Sequence, residues 1–319
     1  MSAGLRVVRP GEETPLWWLG ARIDYLSFGE DSADRYCLAR SETERGAGPP
    51  PHIQRREDEG FYILKGGATF TAGGRSVRAR EGWFINIPRG MTHSFVTDAD
   101  ADTAMLILNA PAGFDRFQRE AGRPIKEPAA PIEKARREDF DRMAALAPNY
   151  GIDLSPSAAD ATADSALTVR GPDDGVCLSV AGDRYRILAD GSETNGAYAL
   201  IDALVPPGGG PPMHTHSREH EAFYILDGEI TFRTPDRVET AEPGAFVAVA
   251  PGVWHGFRNE GDRDARMLIL LAPAGFEAYF QTVGRALADA KSRPAPPTGP
   301  EIEQMLALGS AYGIEFMPH

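Results

Sequence analysis

The chain repeats one sequence unit twice, and this repeat constrains its fold more than any other feature. The segment HIQRREDEGFYILKGG that starts at His52 reappears as HTHSREHEAFYILDGE from His214, a shift of 214 − 52 = 162 residues. The same shift relates two MLIL segments, two APAGF segments, and NYGID to AYGIE. An offset that survives so far along the chain indicates that a whole domain was duplicated. We therefore predict two similar domains, 1–156 and 165–319, with the boundary in the small, turn-prone segment 155–168.

The sequence pattern of each repeat is typical of a β domain that ends in helices. Short runs such as FYIL, FINI and FVAVA are rich in β-branched and aromatic residues and are bounded by glycine or proline. This pattern predicts all-β units in which the strands close into a barrel or a double sheet. At the end of the second repeat, FEAYFQTVGRALADA places Phe276, Phe280, Val283 and Leu287 at helical spacing, and PEIEQMLALGSAYGI repeats the pattern. We interpret these stripes as core that packs the helices onto the strands.

The bulk composition excludes several classes of protein. The formal net charge is −13, from 46 acidic and 33 basic residues, and no basic stripe offsets it, so nucleic acid is not expected as a partner. Two cysteines, Cys37 and Cys177, are too few and too far apart for a disulfide scaffold. No apolar run approaches the roughly 20 residues that cross a bilayer, and the start lacks a signal peptide's pattern. We expect a cytoplasmic protein without a membrane partner.

Four residues of the second repeat have the spacing of a metal site. His214 and His216 are two apart in a predicted strand, so both side chains lie on one face. Glu221 opens the next strand, and His255 follows the turn APGVW. Imidazole and carboxylate groups are the usual ligands of borderline divalent metals. Four such ligands leave coordination positions open, which is what catalysis needs.

These segments resemble the two motifs of the cupin superfamily. GGGPPMHTHSREHEAFYILDG fills every fixed position of the first motif, G-x(5)-H-x-H-x(4)-E-x(6)-G. GAFVAVAPGVWHGFRN fits the second motif except that Ala250 stands at the proline position and Pro251 follows it. The resemblance covers nearly the whole chain. It implies duplicated cupin barrels of the double-stranded β-helix or jelly-roll type, with His214, His216, Glu221 and His255 as metal ligands.

The first repeat departs from these motifs at one ligand position. His52, Glu59 and His93 are kept, but Gln54 stands where the second histidine belongs. A glutamine amide oxygen is a weaker ligand for a borderline metal than imidazole. One interpretation is a degenerate barrel kept for packing or for shaping the other site. The other is a second metal site of two histidines, one glutamate and an optional amide.

Four further residues of the second repeat share strand faces with the predicted ligands. Phe223 and Ile225 alternate with Glu221, and Phe257 and Asn259 alternate with His255. They predict an apolar pocket for an aromatic or otherwise hydrophobic small molecule. The alternative is that the phenylalanines only fill the interior of a small barrel.

Within the superfamily, the chain resembles the quercetin 2,3-dioxygenase-like bicupins. The shared segments are REDEGFYIL and REHEAFYIL, APAGF, and the trailing YGI with its acidic residue. The resemblance implies an enzyme that uses dioxygen as cosubstrate to cleave an enolisable aromatic or hydrophobic small molecule. Glu221 would then be the catalytic base, and the metal a Lewis acid.

Several alternatives stay open at this point. The metal can be iron, manganese, nickel, cobalt, copper or zinc, since this ligand set suits them all. The chemistry can be that of a metal-dependent isomerase, cyclase or decarboxylase instead, or the protein can bind a small molecule without turning it over. The two barrels can pair within a monomer, or the chain can form a homodimer.

Overall fold

The computed structural model describes residues 4–127, 130–154, 156 and 166–318. It divides the chain into an N-terminal unit, Glu13–Pro172, and a C-terminal unit that combines Met1–Glu12 with Asp173–His319. The first strand, β1 (Leu5–Val8), thus belongs to the C-terminal unit. Most of the predicted boundary segment 155–168 lies outside the described residues.

The N-terminal unit is a β structure with two short helices. Its eight-stranded antiparallel sheet has the order β12-β2-β3-β4-β11-β6-β9-β14, and the smaller sheets are β10-β7-β8 and β13-β5. The elements are β2 (Thr14–Trp18), β3 (Ala21–Ser27), β4 (Cys37–Thr43), β5 (Ile53–Gln54), β6 (Asp58–Lys65), β7 (Gly67–Ala72), β8 (Arg75–Arg80), β9 (Phe84–Ile87), β10 (His93–Thr97), β11 (Thr103–Ala110), α1 (Phe114–Ala121), β12 (Arg123–Pro124), α2 (Arg137–Leu146), β13 (Ile152–Asp153) and β14 (Thr168–Arg170).

The C-terminal unit repeats this arrangement. Its eight-stranded sheet has the order β1-β22-β19-β24-β17-β16-β15-β25, beside the smaller sheets β21-β20-β23 and β18-β26. The elements are β15 (Val176–Val180), β16 (Asp183–Ala189), β17 (Ala199–Val205), β18 (His214–His216), β19 (His220–Asp227), β20 (Ile230–Thr234), β21 (Arg237–Ala241), β22 (Phe246–Val249), β23 (Gly256–Arg258), β24 (Ala265–Ala272), α3 (Glu277–Val283), β25 (Arg285–Ala286), α4 (Gly299–Leu308) and β26 (Ile314–Phe316). The predicted all-β, jelly-roll class with helices at the end of each unit is confirmed.

The two units differ from the predicted domains by an exchange of strands. β1 and β14 occupy equivalent positions in the two repeats, 162 residues apart. β1 from the first repeat pairs with β22, whereas β14 from the second repeat pairs with β9. The repeat boundaries 1–156 and 165–319 therefore do not coincide with the packed units. β1 and β14 come from equivalent positions of one duplicated sequence. Each can therefore pair with the sheet edge that the other strand would cover in its own repeat.

The core of the C-terminal unit lies between its strands and its terminal helices. Phe276, Phe280 and Met305 of α4 belong to this core and Val283 packs against it, as predicted, whereas Leu287 is not among its residues. The first predicted helix is shorter than its stripe suggested, because α3 ends at Val283. A side chain at Gly284 would come within 2.5 Å of the Phe280 carbonyl oxygen. Glycine thus lets the chain turn there and run into β25, which pairs with β15.

Both cysteines are buried and free. Among the described residues, no helix combines the length and the apolar character that crossing a bilayer requires.

Candidate metal centres

Three strands of the C-terminal unit bring the predicted ligands together. His214 and His216 lie two apart in β18, which pairs with β26, and Glu221 is the second residue of β19. His255 precedes β23 and forms a β-bridge with His214, through backbone hydrogen bonds of 2.7 and 2.8 Å. The alternation of side chains in β18 therefore points both histidines toward the same interior space.

The imidazoles converge on one carboxylate oxygen. Glu221 Oε2 lies 2.8 Å from His255 Nε2, 3.3 Å from His216 Nε2 and 3.8 Å from His214 Nε2. The candidate ligand atoms of the four residues all lie within 4.8 Å of one another, and all four side chains are buried. The structure thus gathers in one cluster the four residues that the motifs predict, which we call the C-terminal cluster.

Backbone carbonyls orient two of the three rings. His214 Nδ1 lies 2.9 Å from the Pro212 carbonyl oxygen, and His255 Nδ1 lies 2.9 Å from that of Val253. If each Nδ1 carries the ring proton and donates it to the carbonyl, the lone pair on Nε2 faces Glu221. His216 Nε2 is buried without any hydrogen-bond partner among the described residues. A cation at this point would satisfy it, so the residues present fit a divalent metal.

The charges of the C-terminal cluster suit a metal as well. Burial would raise the pKa of Glu221, but the neighbouring imidazoles, that of His216 foremost, hold that pKa well below its ordinary value. Burial lowers the pKa of His214 to about 4. Burial also acts to lower the pKa of His255, but the bond to Glu221 outweighs it and raises that pKa. At neutral pH the cluster therefore combines an anionic carboxylate with a neutral His214 imidazole.

The N-terminal unit holds a related cluster of His52, Glu59 and His93, which we call the N-terminal cluster. His93 Nε2 lies 2.9 Å from Glu59 Oε2. The Nδ1 atoms of His52 and His93 lie 3.0 and 2.9 Å from backbone carbonyls, as in the other unit. Burial lowers the pKa of His52 to about 4, whereas His93 and His52 overcome the effect of burial and lower the pKa of Glu59.

An amide network occupies the place of the third imidazole in the N-terminal unit. Gln54 Oε1 accepts a hydrogen bond of 3.2 Å from Asn109 Nδ2, which also lies 3.3 Å from Glu59 Oε1. In the C-terminal unit the positions of Gln54 and Asn109 are held by His216 and Leu271. Two changes at facing positions thus replace an imidazole by a hydrogen-bonded pair of amides. The sequence analysis did not identify Asn109 as part of this network. The sequence does show that the equivalent residue of the second repeat, 162 positions later, is Leu271.

An apolar cavity opens on the C-terminal cluster. Besides His214, His216 and Glu221, it is lined by Val180, Ala181, Tyr185, Pro211, Phe257, Ile269, Phe276, Tyr279, Phe280, Met305, Ile314 and Phe316. Its free volume is about 30 Å³, far below the roughly 300–1,000 Å³ of a site for a drug-sized ligand. Ile314 and Phe316 of β26 also line an open groove of about 550 Å³, together with Trp254 and Leu306.

The predicted pocket residues are only partly found at this cavity. Phe257 lines it, but Phe223 and Ile225 are not among its lining residues, and both are buried in the core. Asn259 Nδ2 donates to the carbonyl oxygens of Val205 and Arg263, so this side chain stabilises a loop. Alternation places Phe223 and Ile225 on the interior face as expected, but farther along β19, where core packing fills the space.

The helices and β26 supply most of the lining that the sequence did not predict. Phe276, Phe280 and Met305 belong to the stripes that we interpreted as core alone, yet they also face the cavity, as does Tyr279. The sequence gives only a weak signal for this lining role, because a helical stripe does not show which of its residues pack in the core and which line a cavity.

Two segments of the chain, residues 39–109 and 202–271, match the family model of the cupin domain. Quercetin 2,3-dioxygenase of Bacillus subtilis (strain 168) is 25% identical over 270 residues, which cover 81% of this chain and 80% of that protein. Quercetin 2,3-dioxygenase of Aspergillus japonicus is 26% identical over 141 residues, 40% of each chain.

Solved structures show the same fold at lower identity. The oxalate decarboxylase of Lactobacillus farciminis, in a formate complex, superposes with a TM-score of 0.58 at 15% identity, covering 88% of this chain and 90% of that one. Bacillus subtilis oxalate decarboxylase, which has Mn(II) centres, gives a TM-score of 0.56 at 17% identity, covering 86% and 79%.

Proposed function

Because the chain is a bicupin, a polypeptide with two cupin domains, we propose that it is a metal-dependent dioxygenase of the quercetinase type. Its substrate would be an enolisable aromatic or otherwise hydrophobic small molecule. The observation that carries this proposal is the C-terminal cluster, in which three imidazoles and one carboxylate meet at the wall of an apolar, aromatic cavity. The likeness to quercetin 2,3-dioxygenase over 81% of the chain supports it.

A metal held by His214, His216, Glu221 and His255 would supply Lewis-acid polarisation of a substrate oxygen and fix its orientation. Glu221 is ionised, so its carboxylate can accept the proton of a substrate hydroxyl within hydrogen-bond reach. The aromatic walls exclude water and bury the rings of the substrate. The described residues that line the cavity are mostly apolar or aromatic, which favours a hydrophobic substrate.

The small free volume requires the cavity to enlarge when such a substrate binds. Ile314 and Phe316 separate it from the open groove, and both belong to the three-residue strand β26. Displacement of β26 would join the two spaces into one of the size that ligand sites have. We propose that the substrate enters along this route.

The test combines metal analysis with oxygen uptake. The metals of the purified protein are measured, and a metal-replete sample is then assayed against flavonols and other enolisable aromatics. We expect oxygen consumption with at least one substrate and no product under anaerobic conditions. Absence of uptake across the panel would count against the oxygenase, and unchanged anaerobic turnover would indicate an isomerase, cyclase or decarboxylase. Bound ligand without turnover would indicate a binding protein.

A further inference from the structure

Two buried polar groups face each other behind the C-terminal cluster. Glu219 lies two residues before Glu221, and its side chain is completely inaccessible to solvent. Its Oε2 lies 3.8 Å from His216 Nδ1, the ring nitrogen that points away from Glu221. Within the part of the chain that the structure describes, neither this nitrogen nor either oxygen of Glu219 makes a hydrogen bond. The nearest cation is the exposed Arg218, whose Nη2 lies 3.1 Å from Glu219 Oε1.

His216 differs in this respect from the two other imidazoles. His214 and His255 have backbone carbonyls at 2.9 Å from their Nδ1 atoms. Among the residues that the structure describes, the Nδ1 atom of His216 instead faces the carboxylate of Glu219 at 3.8 Å. A buried donor or acceptor that lacks a partner destabilises a fold. The Nδ1 of His216 and the carboxylate of Glu219 are two such groups, and as donor and acceptor they are complementary. Histidines that bind metals generally donate their second ring N–H to a carboxylate, a carbonyl or water.

We propose that Glu219 is the positioning residue of His216. Its carboxylate would accept a hydrogen bond from Nδ1–H when the 3.8 Å separation closes as the metal binds, and would so fix the tautomer in which Nε2 faces Glu221 and the metal. This inference rests on the proposed metal-dependent function, since it assigns Glu219 a role in holding the same ion. It predicts that Glu219 sets the affinity of the C-terminal cluster for metal without contacting the ion itself.

The duplicated unit contains a matched control for this role. The shift of 162 carries Glu219 to Glu57, which is also buried, and carries His216 to Gln54. Glu57 therefore occupies the equivalent position in a unit where an amide, that of Gln54, stands in place of the imidazole of His216. The same substitution at the two positions separates orientation of His216 from the general effect of changing a buried glutamate.

The experiment measures Zn²⁺ affinity by competition with a chromophoric chelator. Glu219→Ala, Glu219→Gln and the control Glu57→Gln are compared in a His52→Ala background, which weakens the N-terminal cluster. We expect Glu219→Ala to weaken binding by about 10- to 100-fold, the usual effect of losing such a partner. Glu219→Gln should lose less, since its amide oxygen still accepts a hydrogen bond. Glu57→Gln should match its parent.

Melting temperatures of the metal-free variants provide a second readout. A role in packing alone would lower the melting temperature of Glu219→Ala and leave Zn²⁺ affinity unchanged in both variants, and that result would overturn the inference. A parent that binds no Zn²⁺ would overturn the proposed metal-dependent function, and the inference with it. Repeating the series without His52→Ala keeps the test independent of that background.

Discussion

At the scale of single residues, positions 162 apart show what distinguishes the two clusters. His52 and His214 are equivalent, as are Glu59 and Glu221, and His93 and His255. The units differ at two positions, where Gln54 replaces His216 and Asn109 replaces Leu271. The side chains of Gln54 and Asn109 form a hydrogen bond with each other. A third imidazole is the better ligand for a borderline metal. We therefore propose that the C-terminal cluster is the principal metal site.

This assignment is tested by removing one equivalent imidazole from each unit. We expect His214→Ala to lose most of the bound metal, because the remaining ligands cannot compensate for a lost imidazole in a buried site. The matched variant His52→Ala should keep most of it. Metal content is measured by elemental analysis after gel filtration. Survival of near-unit stoichiometry in His214→Ala would show that the N-terminal cluster holds the ion.

At the scale of elements, the exchange of β1 and β14 completes both large sheets. β1 covers the edge of β22, which in turn pairs with β19, the strand that carries Glu221. Leu5 is 6% exposed and belongs to the core of the C-terminal unit. β1 therefore stabilises the sheet that carries Glu221 of the C-terminal cluster, although more than 200 residues separate β1 from β19 in sequence.

The contribution of β1 can be measured with one truncation. Leu5→Ala should lower the free energy of unfolding by about 2–5 kcal/mol, the usual cost of removing a buried leucine side chain. Val238→Ala is the control, because Val238 is 55% exposed in β21 and such changes stay within about 0.5 kcal/mol. Urea denaturation followed by circular dichroism gives both values. Equal effects would contradict the packing of β1 in the C-terminal unit.

At the scale of the whole molecule, buried histidines in both units make stability depend on pH. Burial lowers the pKa of His52 and of His214 to about 4 from an ordinary value of 6.5. Between these values the unfolded chain binds protons that the folded chain does not, so acid favours unfolding. The lowered pKa values of Glu59 and Glu221 act in the same direction below pH 4.5. The raised pKa of His255 acts only above about pH 6.5, where a falling pH favours the folded state.

We therefore expect His52 and His214 to lower the unfolding free energy of the metal-free protein as pH decreases from about 6.5 to about 4. The buried carboxyls of Glu57 and Asp183 act in the opposite direction in this range, because burial raises their pKa values to about 7. Replacing both residues, as His52→Gln and His214→Gln, removes the two imidazoles, so the unfolding free energy of the variant should rise relative to that of the parent as the pH decreases. Urea titrations at several pH values in that range measure the slope. An identical slope in the variant and the parent would show that other groups control the acid sensitivity.

The sequence by itself determined the repeat, the strand faces and the ligand set. A shift of 162 residues predicted the duplication, and the spacing of His214, His216, Glu221 and His255 predicted a cluster that the structure assembles. These features are local or periodic, and alternation in a strand decides on which face a side chain lies. The fold class and the four-residue cluster could therefore be inferred without coordinates.

Only the tertiary structure decided which strand completes which sheet and which side chains meet at the cavity. β1 and β14 come from equivalent positions of the repeat, so no local signal tells which edge each will cover. Alternation likewise placed Phe223 and Phe257 on interior faces, but only the packing of α3, α4 and β26 leaves Phe257 at the cavity and Phe223 in the core. Contacts between residues far apart in sequence settle both questions, because they depend on how elements pack and not on how each one repeats.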